Sequence, residues 1–339
     1  GYSSKVRGVG MKLFKRIIKY LLILIGGAGL AIVIAINVSP RPFVFFLNHA
    51  AKDEAAIRPR AYQSYRDQIS IKKDVRYSSQ SAKNTMDIFY KKDNRTKPTV
   101  IWAHGGAFVA GDKSGTTYWA TKMAANGYNV VSINYPLAPD RQYPTQVNQM
   151  REAIQFVHRN YAKQLNVQKV VVGGDSAGAH ITSQVIAAQY NHQLATAINY
   201  HHLRDVKIVG GLLYCGPYDI KQMVNKKHVD TMTKLFVNQV GWAYLGDKDW
   251  KNSAKGRLVS TVNYVNKQFP PIFITDGNNG SFEAQGKELY HKLREEGVAT
   301  QALFFGKERK VNHEYQFDLD SRAGKECFED TQDFLKNLD

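Results

Sequence analysis

Short apolar runs alternate with amphipathic stretches of helix length over most of the chain. The runs Ser70 to Tyr77, Thr85 to Tyr90, Thr99 to Ala103, Asn129 to Asn134, Val170 to Gly173, Ile208 to Tyr214, Pro271 to Asp276 and Ala302 to Phe305 predict eight strands. Between the later runs, apolar residues recur at helical spacing over Thr145 to Asn160, Ala179 to Gln189, Gly286 to Glu296 and Lys325 to Leu338. Strands alternating with helices imply right-handed crossovers over a mostly parallel sheet. The roughly 270 residues involved suffice for one α/β domain with a large core, and a second full domain would be cramped. Two segments, Phe43 to Gln68 and Pro217 to Phe269, fall outside the pattern and carry Tyr62, Tyr65, Trp242, Tyr244, Trp250 and Tyr264. They are expected to cap a site and line a pocket, although ordinary packing of cap on core explains the aromatics equally.

The N-terminus follows a different pattern. Tyr20 to Val38 is almost wholly apolar, and Lys5, Arg7, Lys12, Lys15, Arg16 and Lys19 precede it with no acidic residue in 1–38. Its length matches the bilayer core, and the basic flank predicts a cytoplasmic N-terminus. The expected organisation is a basic cytoplasmic segment over 1–19, a transmembrane signal anchor over 20–38, a linker and cap segment over 39–68, and a catalytic domain over 69–339 with a cap insertion at about 217–269. That arrangement makes the protein single-pass, with its catalytic domain outside the cell membrane. A cleaved signal peptide, which would release the domain, is the competing reading.

Composition adds little to this. Six of the net +17 charges lie in the N-terminal segment, leaving +11 for the remainder. Such a field favours anionic membranes or acidic wall polymers; with no nucleic-acid-binding motif, envelope contact is the better reading, beside a merely solvated basic surface. Cys215 and Cys327 are the two cysteines, so there is no disulfide framework, and two unpaired small hydrophobes are expected. The oligomeric state is not legible.

The chemistry is carried by two turns. Gly174-Asp175-Ser176-Ala177-Gly178 follows the run Val170 to Val172 and precedes a helical stretch, so Ser176 sits where a strand turns sharply into a helix. His104-Gly105-Gly106-Ala107 follows the run Thr99 to Ala103. The backbone N–H groups of Gly105 and Gly106, with that of Ala177, are candidates to stabilise a developing oxyanion.

HGGAF at 104–108 and GDSAG at 174–178 resemble the hormone-sensitive-lipase-like branch of the α/β-hydrolase superfamily, populated by carboxylesterases and acetyl esterases. Asn134-Tyr135-Pro136-Leu137-Ala138-Pro139 is similar to that branch's Y-R-L-A-P stretch, with Pro136 in place of arginine. The likeness runs from about Ile69 to the C-terminus. It implies an eight-stranded, mostly parallel sheet flanked by helices, with Ser176 as nucleophile of a Ser-Asp-His triad and Gly105, Gly106 and Ala177 as the oxyanion hole.

His313 occupies the position expected of the base, after the last strand and in the order serine, acid, histidine, with Glu314 replacing the usual glycine behind it. His104, His201, His202 and His291 compete less well. The acid is where the chain departs from the resemblance, because Gly280 stands in the aspartate column of Gly-x-x-Asp. Asp276 at the strand tip is the preferred substitute and Glu283 the alternative. Asp175 reads as structural, and Asp112 as a brace for the glycine loop or a turn former.

The expected function is a serine ester hydrolase acting on short-chain acyl esters, the acyl class resting on resemblance alone. Its substrate would be a small-molecule or envelope-polymer ester. An arylformamidase or peptidase-type amide hydrolase, and a non-catalytic envelope binding protein, stay open as alternatives. Neither metal nor organic cofactor is called for, since protein groups supply the proton transfers and charge stabilisation.

Overall fold

The computed structural model describes residues 2–50, 56–92, 94–225 and 229–338. All eight expected strands form one sheet: β1 (Ser70–Arg76), β2 (Thr85–Tyr90), β3 (Thr99–Ala103), β4 (Val130–Ile133), β5 (Lys169–Asp175), β6 (Lys207–Tyr214), β7 (Ile272–Thr275) and β8 (Thr300–Leu303), in the order β1-β2-β4-β3-β5-β6-β7-β8. The first two strands pair antiparallel, β2 joins β4 antiparallel, and the remaining ladder from β4 to β8 is parallel.

One strand departs from expectation. The last apolar run predicted a strand over 302–305, whereas β8 ends at Leu303, paired with Thr275 where β7 itself ends. With no partner left in the ladder, Phe305 packs instead against the Tyr315 ring at 5.1 Å.

Alternation along the strands divides the core between two faces. Ile101, Val131, Val172, Leu213 and Ile274 pack under the helices Thr145–Asn160 and Ala177–Tyr190. Their sequence neighbours Val100, Val130, Val171, Leu212 and Phe273 point the other way, toward the helices Thr117–Ala125 and Arg322–Lys336.

Helix α1 (Tyr2–Val38) continues through the apolar run and includes a span, Gly8–Val38, long and apolar enough to cross a bilayer and buried nowhere by protein. Its end is tied to the folded body. The Ile36 and Asn37 carbonyls, which a helix C-terminus leaves without partners, accept from Gln239 Nε2 at 2.9 Å and Lys248 Nζ at 2.8 Å. Helix α2 (Arg41–Ala50) follows after two residues, burying Val44 and setting Phe43 edge-on to Phe236 at 6.2 Å, on the helix Thr231–Leu245. Its Phe45 and Phe46 remain 65% and 62% exposed.

Not all the aromatics expected in the cap belong there. Tyr62 and Tyr65 rest on the Thr117–Ala125 helix instead, Tyr62 meeting Tyr118 at 4.9 Å and Tyr65 lying under Lys122. Tyr244, by contrast, stacks on Phe108 of the glycine loop at 3.9 Å. Cys215 and Cys327 are buried and unpaired.

Candidate active site

The parallel strands bring their C-terminal ends to one edge, where the loops after β3, β5, β7 and β8 converge. The turn after β5 holds Ser176 at φ +52° and ψ −120°, a backbone conformation that a residue with a Cβ reaches only under constraint. The constraint is close packing. A Cβ on Gly178 would lie 2.0 Å from the Ala103 carbonyl oxygen, and one on Gly174 would lie 2.2 Å from the Gly178 oxygen. The Ser176 N–H donates to the Tyr214 carbonyl at 2.8 Å, locking the turn onto β6.

His313 faces this serine, with Nε2 3.1 Å from Ser176 Oγ. Burial pushes its imidazole down to about 4, so the ring stands neutral and able to accept a proton. The Phe282 ring meets it edge-on at 5.4 Å.

Asp276 is almost fully buried at the end of β7 and does not bond to His313 directly; Ser281 intervenes. The Ser281 hydroxyl bonds Asp276 Oδ1 and also lies 2.5 Å from His313 Nδ1, while Asp276 Oδ2 accepts the Phe282 N–H at 3.1 Å. Burial raises Asp276 to about 7, against the lowering effect of the Ser281 and Phe282 bonds. Glu283, the alternative acid, is not brought to the histidine: its carboxylate pairs at 2.7 Å with Lys287, one turn along its own helix.

Ser281 carries no carboxylate and so stands outside the acidic residues that the order serine, acid, histidine selects. Its one signal was its position, immediately after the glycine that vacates the aspartate column.

The glycine loop requires a correction. The Gly105 N–H, expected as an oxyanion donor, donates to Asp175 Oδ2 at 3.1 Å, while Asp175 Oδ1 accepts from Trp102 Nε1 at 2.9 Å. Gly105 therefore anchors the loop to the residue before Ser176. The N–H groups of Gly106 and Ala177 have no acceptor among the described residues. Gly106 sits at φ +133°, with no room for a Cβ against the Ala110 carbonyl. His104 is buried, with Nδ1 on the Gly105 carbonyl and its ring stacked on Tyr135 at 4.3 Å. Asp112 caps the following turn by accepting from Ser114 N–H at 2.8 Å and also accepts from Asn134 Nδ2 at 3.0 Å, which makes it the turn former of the two roles expected.

Glu314, in the glycine position after His313, has φ +65°, which explains why glycine suits that place. Burial and the adjacent Asp175 carboxylate hold its carboxyl well above the usual range.

Cys215, Asp276 and His313 place donor atoms within 4.8 Å of one another. The Cys215 thiol bonds Gln316 Oε1 at 3.3 Å and is raised well above its ordinary value by burial, so it is a poor source of the thiolate that a metal requires. A cavity of about 510 Å³, lined by Val44, Phe45, Asn48, Val109, Leu137 and Arg141, lies between α2 and residues 136–141.

A model of the BD-FAE family matches residues 86–293. Esterase LipQ of Mycobacterium tuberculosis is 26% identical over 249 residues, 71% of this chain and 56% of LipQ. Kynurenine formamidase of Drosophila melanogaster is 23% identical over 65% of this chain and 69% of its own length. The chain thus spans little more than half the length of the first of these relatives. Among solved structures, esterase B from Lactobacillus rhamnosis superposes with a TM-score of 0.69 at 18% identity, covering 80% of this chain and 86% of that one. That likeness establishes the α/β-hydrolase fold.

Proposed function

The chain belongs to the BD-FAE family, and from that premise we propose that it is a serine hydrolase of carboxylic esters with Ser176 as nucleophile, His313 as base and Asp276 as the acid behind it. One observation carries the reading: His313 Nε2 stands 3.1 Å from the hydroxyl of a serine held at a strained strand-to-helix turn. His313 takes the Ser176 proton as Oγ attacks the carbonyl carbon. The Gly106 and Ala177 N–H groups meet the charge forming on the carbonyl oxygen. The proton passes from Nε2 to the departing alcohol, and water, activated by the same imidazole, releases the acid from Ser176.

A short-chain acyl ester is the proposed substrate. Amide hydrolysis is the second reading, supported by the kynurenine formamidase likeness, because the same groups would serve a formyl amide. Labelling of the full chain in detergent by a fluorophosphonate, abolished in Ser176→Ala, is the expected result. Turnover of p-nitrophenyl acetate well above that of an N-formyl aryl amide supports the ester reading, and the reverse order replaces it with the amide one.

The same proposal places α1 across a membrane. Residues 20–38 span about 28 Å at 1.5 Å per residue, close to the hydrocarbon thickness. Phe45 and Phe46 then lie at the interface, seven and eight residues beyond the span, and the basic flank lies on the cytoplasmic side. Protease added to intact cells should digest the catalytic domain; protection of the domain would reverse the orientation.

A further inference from the structure

We infer that Ser281 is a positioning residue, relaying the charge of Asp276 to His313 and fixing the imidazole tautomer that lets His313 act as base. The inference rests on the serine hydrolase reading and adds a fourth member to its chain of groups.

Hydrogen-bond direction decides the tautomer. A carboxylate only accepts, so when Asp276 is ionised the Ser281 hydrogen is donated to it. The Ser281 oxygen must then accept from its other neighbour, His313 Nδ1, 2.5 Å away. That places the imidazole hydrogen on Nδ1 and leaves the Nε2 lone pair facing Ser176 Oγ. As Ser176 attacks, its proton moves to Nε2, and the resulting imidazolium is stabilised by Asp276 across one hydroxyl; no proton leaves Nδ1. If Asp276 is protonated, the chain can run backwards. The carboxyl donates to Ser281, Ser281 donates to Nδ1, and Nε2 carries the hydrogen and cannot accept one.

The backbone holds this geometry rigidly. The loop after β7 is laced to the loop after β8: Asn278 and Asn279 donate through N–H to the Val311 carbonyl at 2.8 and 3.0 Å, the His313 N–H donates to the Asn279 carbonyl at 3.1 Å, and Val311 N–H donates to Asn278 Oδ1 at 2.9 Å. Gly277 permits the approach, since a Cβ there would lie 2.5 Å from the Val311 and Asn312 carbonyl oxygens. Gly280, at φ +62° with open space around it, turns the chain so that Ser281 rather than residue 280 meets the histidine.

The test uses the full chain in detergent, with Ser281→Ala, Asp276→Ala, the double variant and Ser281→Thr. Ser281→Ala should lower kcat by roughly 10²-fold with little change in KM, because the loss falls on the proton-transfer step. Ser281→Thr should recover most of that loss. Asp276→Ala should cost much less in the Ser281→Ala background than alone, since its effect travels through the hydroxyl. Undiminished kcat in Ser281→Ala, or equal costs of Asp276→Ala in both backgrounds, would overturn the relay. The ¹⁵N spectrum of wild-type His313 at pH 8 tests it without turnover or a folded variant: the Nδ1–H tautomer is expected, and an Nε2–H tautomer overturns it. Failure of the wild type to react with a fluorophosphonate would count against the hydrolase reading alone, leaving that spectrum to decide the relay.

Discussion

Asp175 holds the Gly105 N–H at 3.1 Å, so the residue beside Ser176 anchors the glycine loop. Its other oxygen takes the Trp102 indole N–H, and both donors are satisfied by one buried carboxylate. In Asp175→Asn an amide NH₂ must confront one of those N–H groups. The substitution should cost about 2 kcal/mol of stability and lower kcat as the glycine loop shifts. Urea unfolding beside kcat measures both; unchanged values in both would remove the anchoring role.

The acid limb of kcat/KM should be set by Asp276, not by His313. Burial raises the first to about 7 and lowers the second to about 4. Activity should therefore fall as pH drops below about 7, where protonated Asp276 no longer enforces the active tautomer. Asp276→Asn should be less active at every pH and should lose the limb near 7. Stability runs the other way. The folded state holds the Asp276 proton more tightly than the unfolded chain does, so this group's contribution is complete below about pH 4 and is lost as pH rises to about 7. Rate profiles from pH 5 to 9 for the two proteins provide the check, and superimposable limbs would contradict the assignment.

Glu314 should weaken the fold at alkaline pH. Its carboxyl titrates well above the usual range because burial and Asp175 oppose its charge. The neutral acid is favoured in the folded state, and the stability it contributes at low pH disappears as pH rises through that raised value. Glu314→Gln retains an acceptor for Gln316 Nε2, which lies 3.4 Å from Glu314 Oε1, and does not ionise. The variant should have a higher Tm than the wild type at pH 8, with the difference shrinking toward pH 4.

Tyr244 separates ring from hydroxyl. The ring stacks on Phe108 at 3.9 Å, whereas the buried oxygen has no partner among the described residues. Tyr244→Phe should leave stability unchanged or raise it by about 1 kcal/mol. Tyr244→Ala should cost about 3–5 kcal/mol through the cavity it opens. Chemical denaturation distinguishes the two, and a Phe variant as damaged as the Ala variant would show that the hydroxyl is bonded in the folded state.

Much of this protein was legible along the chain, because its informative signals are local. A buried parallel strand reads as an apolar run whatever lies beside it, so all eight strands were placed and only β8 was displaced, by two residues. The turn holding Ser176 was legible for the same reason: the space that a Cβ would need beside Ala103 is already taken, and glycines flank the serine. The N-terminal apolar span and its basic flank are likewise matters of composition.

What only the tertiary structure decided is which polar groups meet. The sequence neighbours of Gly105 point its N–H to an oxyanion, yet that N–H is taken by Asp175, 70 residues away. Asp276 and Glu283 were separable only in space, where one faces His313 through Ser281 and the other turns to Lys287. Hydrogen bonds are satisfied in three dimensions by atoms within about 3 Å, and neither spacing nor hydropathy encodes which distant loop supplies them. Periodicity along the sequence therefore determined the sheet, and the flanking glycines the turn at Ser176, while the order of groups behind His313 emerged only when the loops after β7 and β8 were laced together.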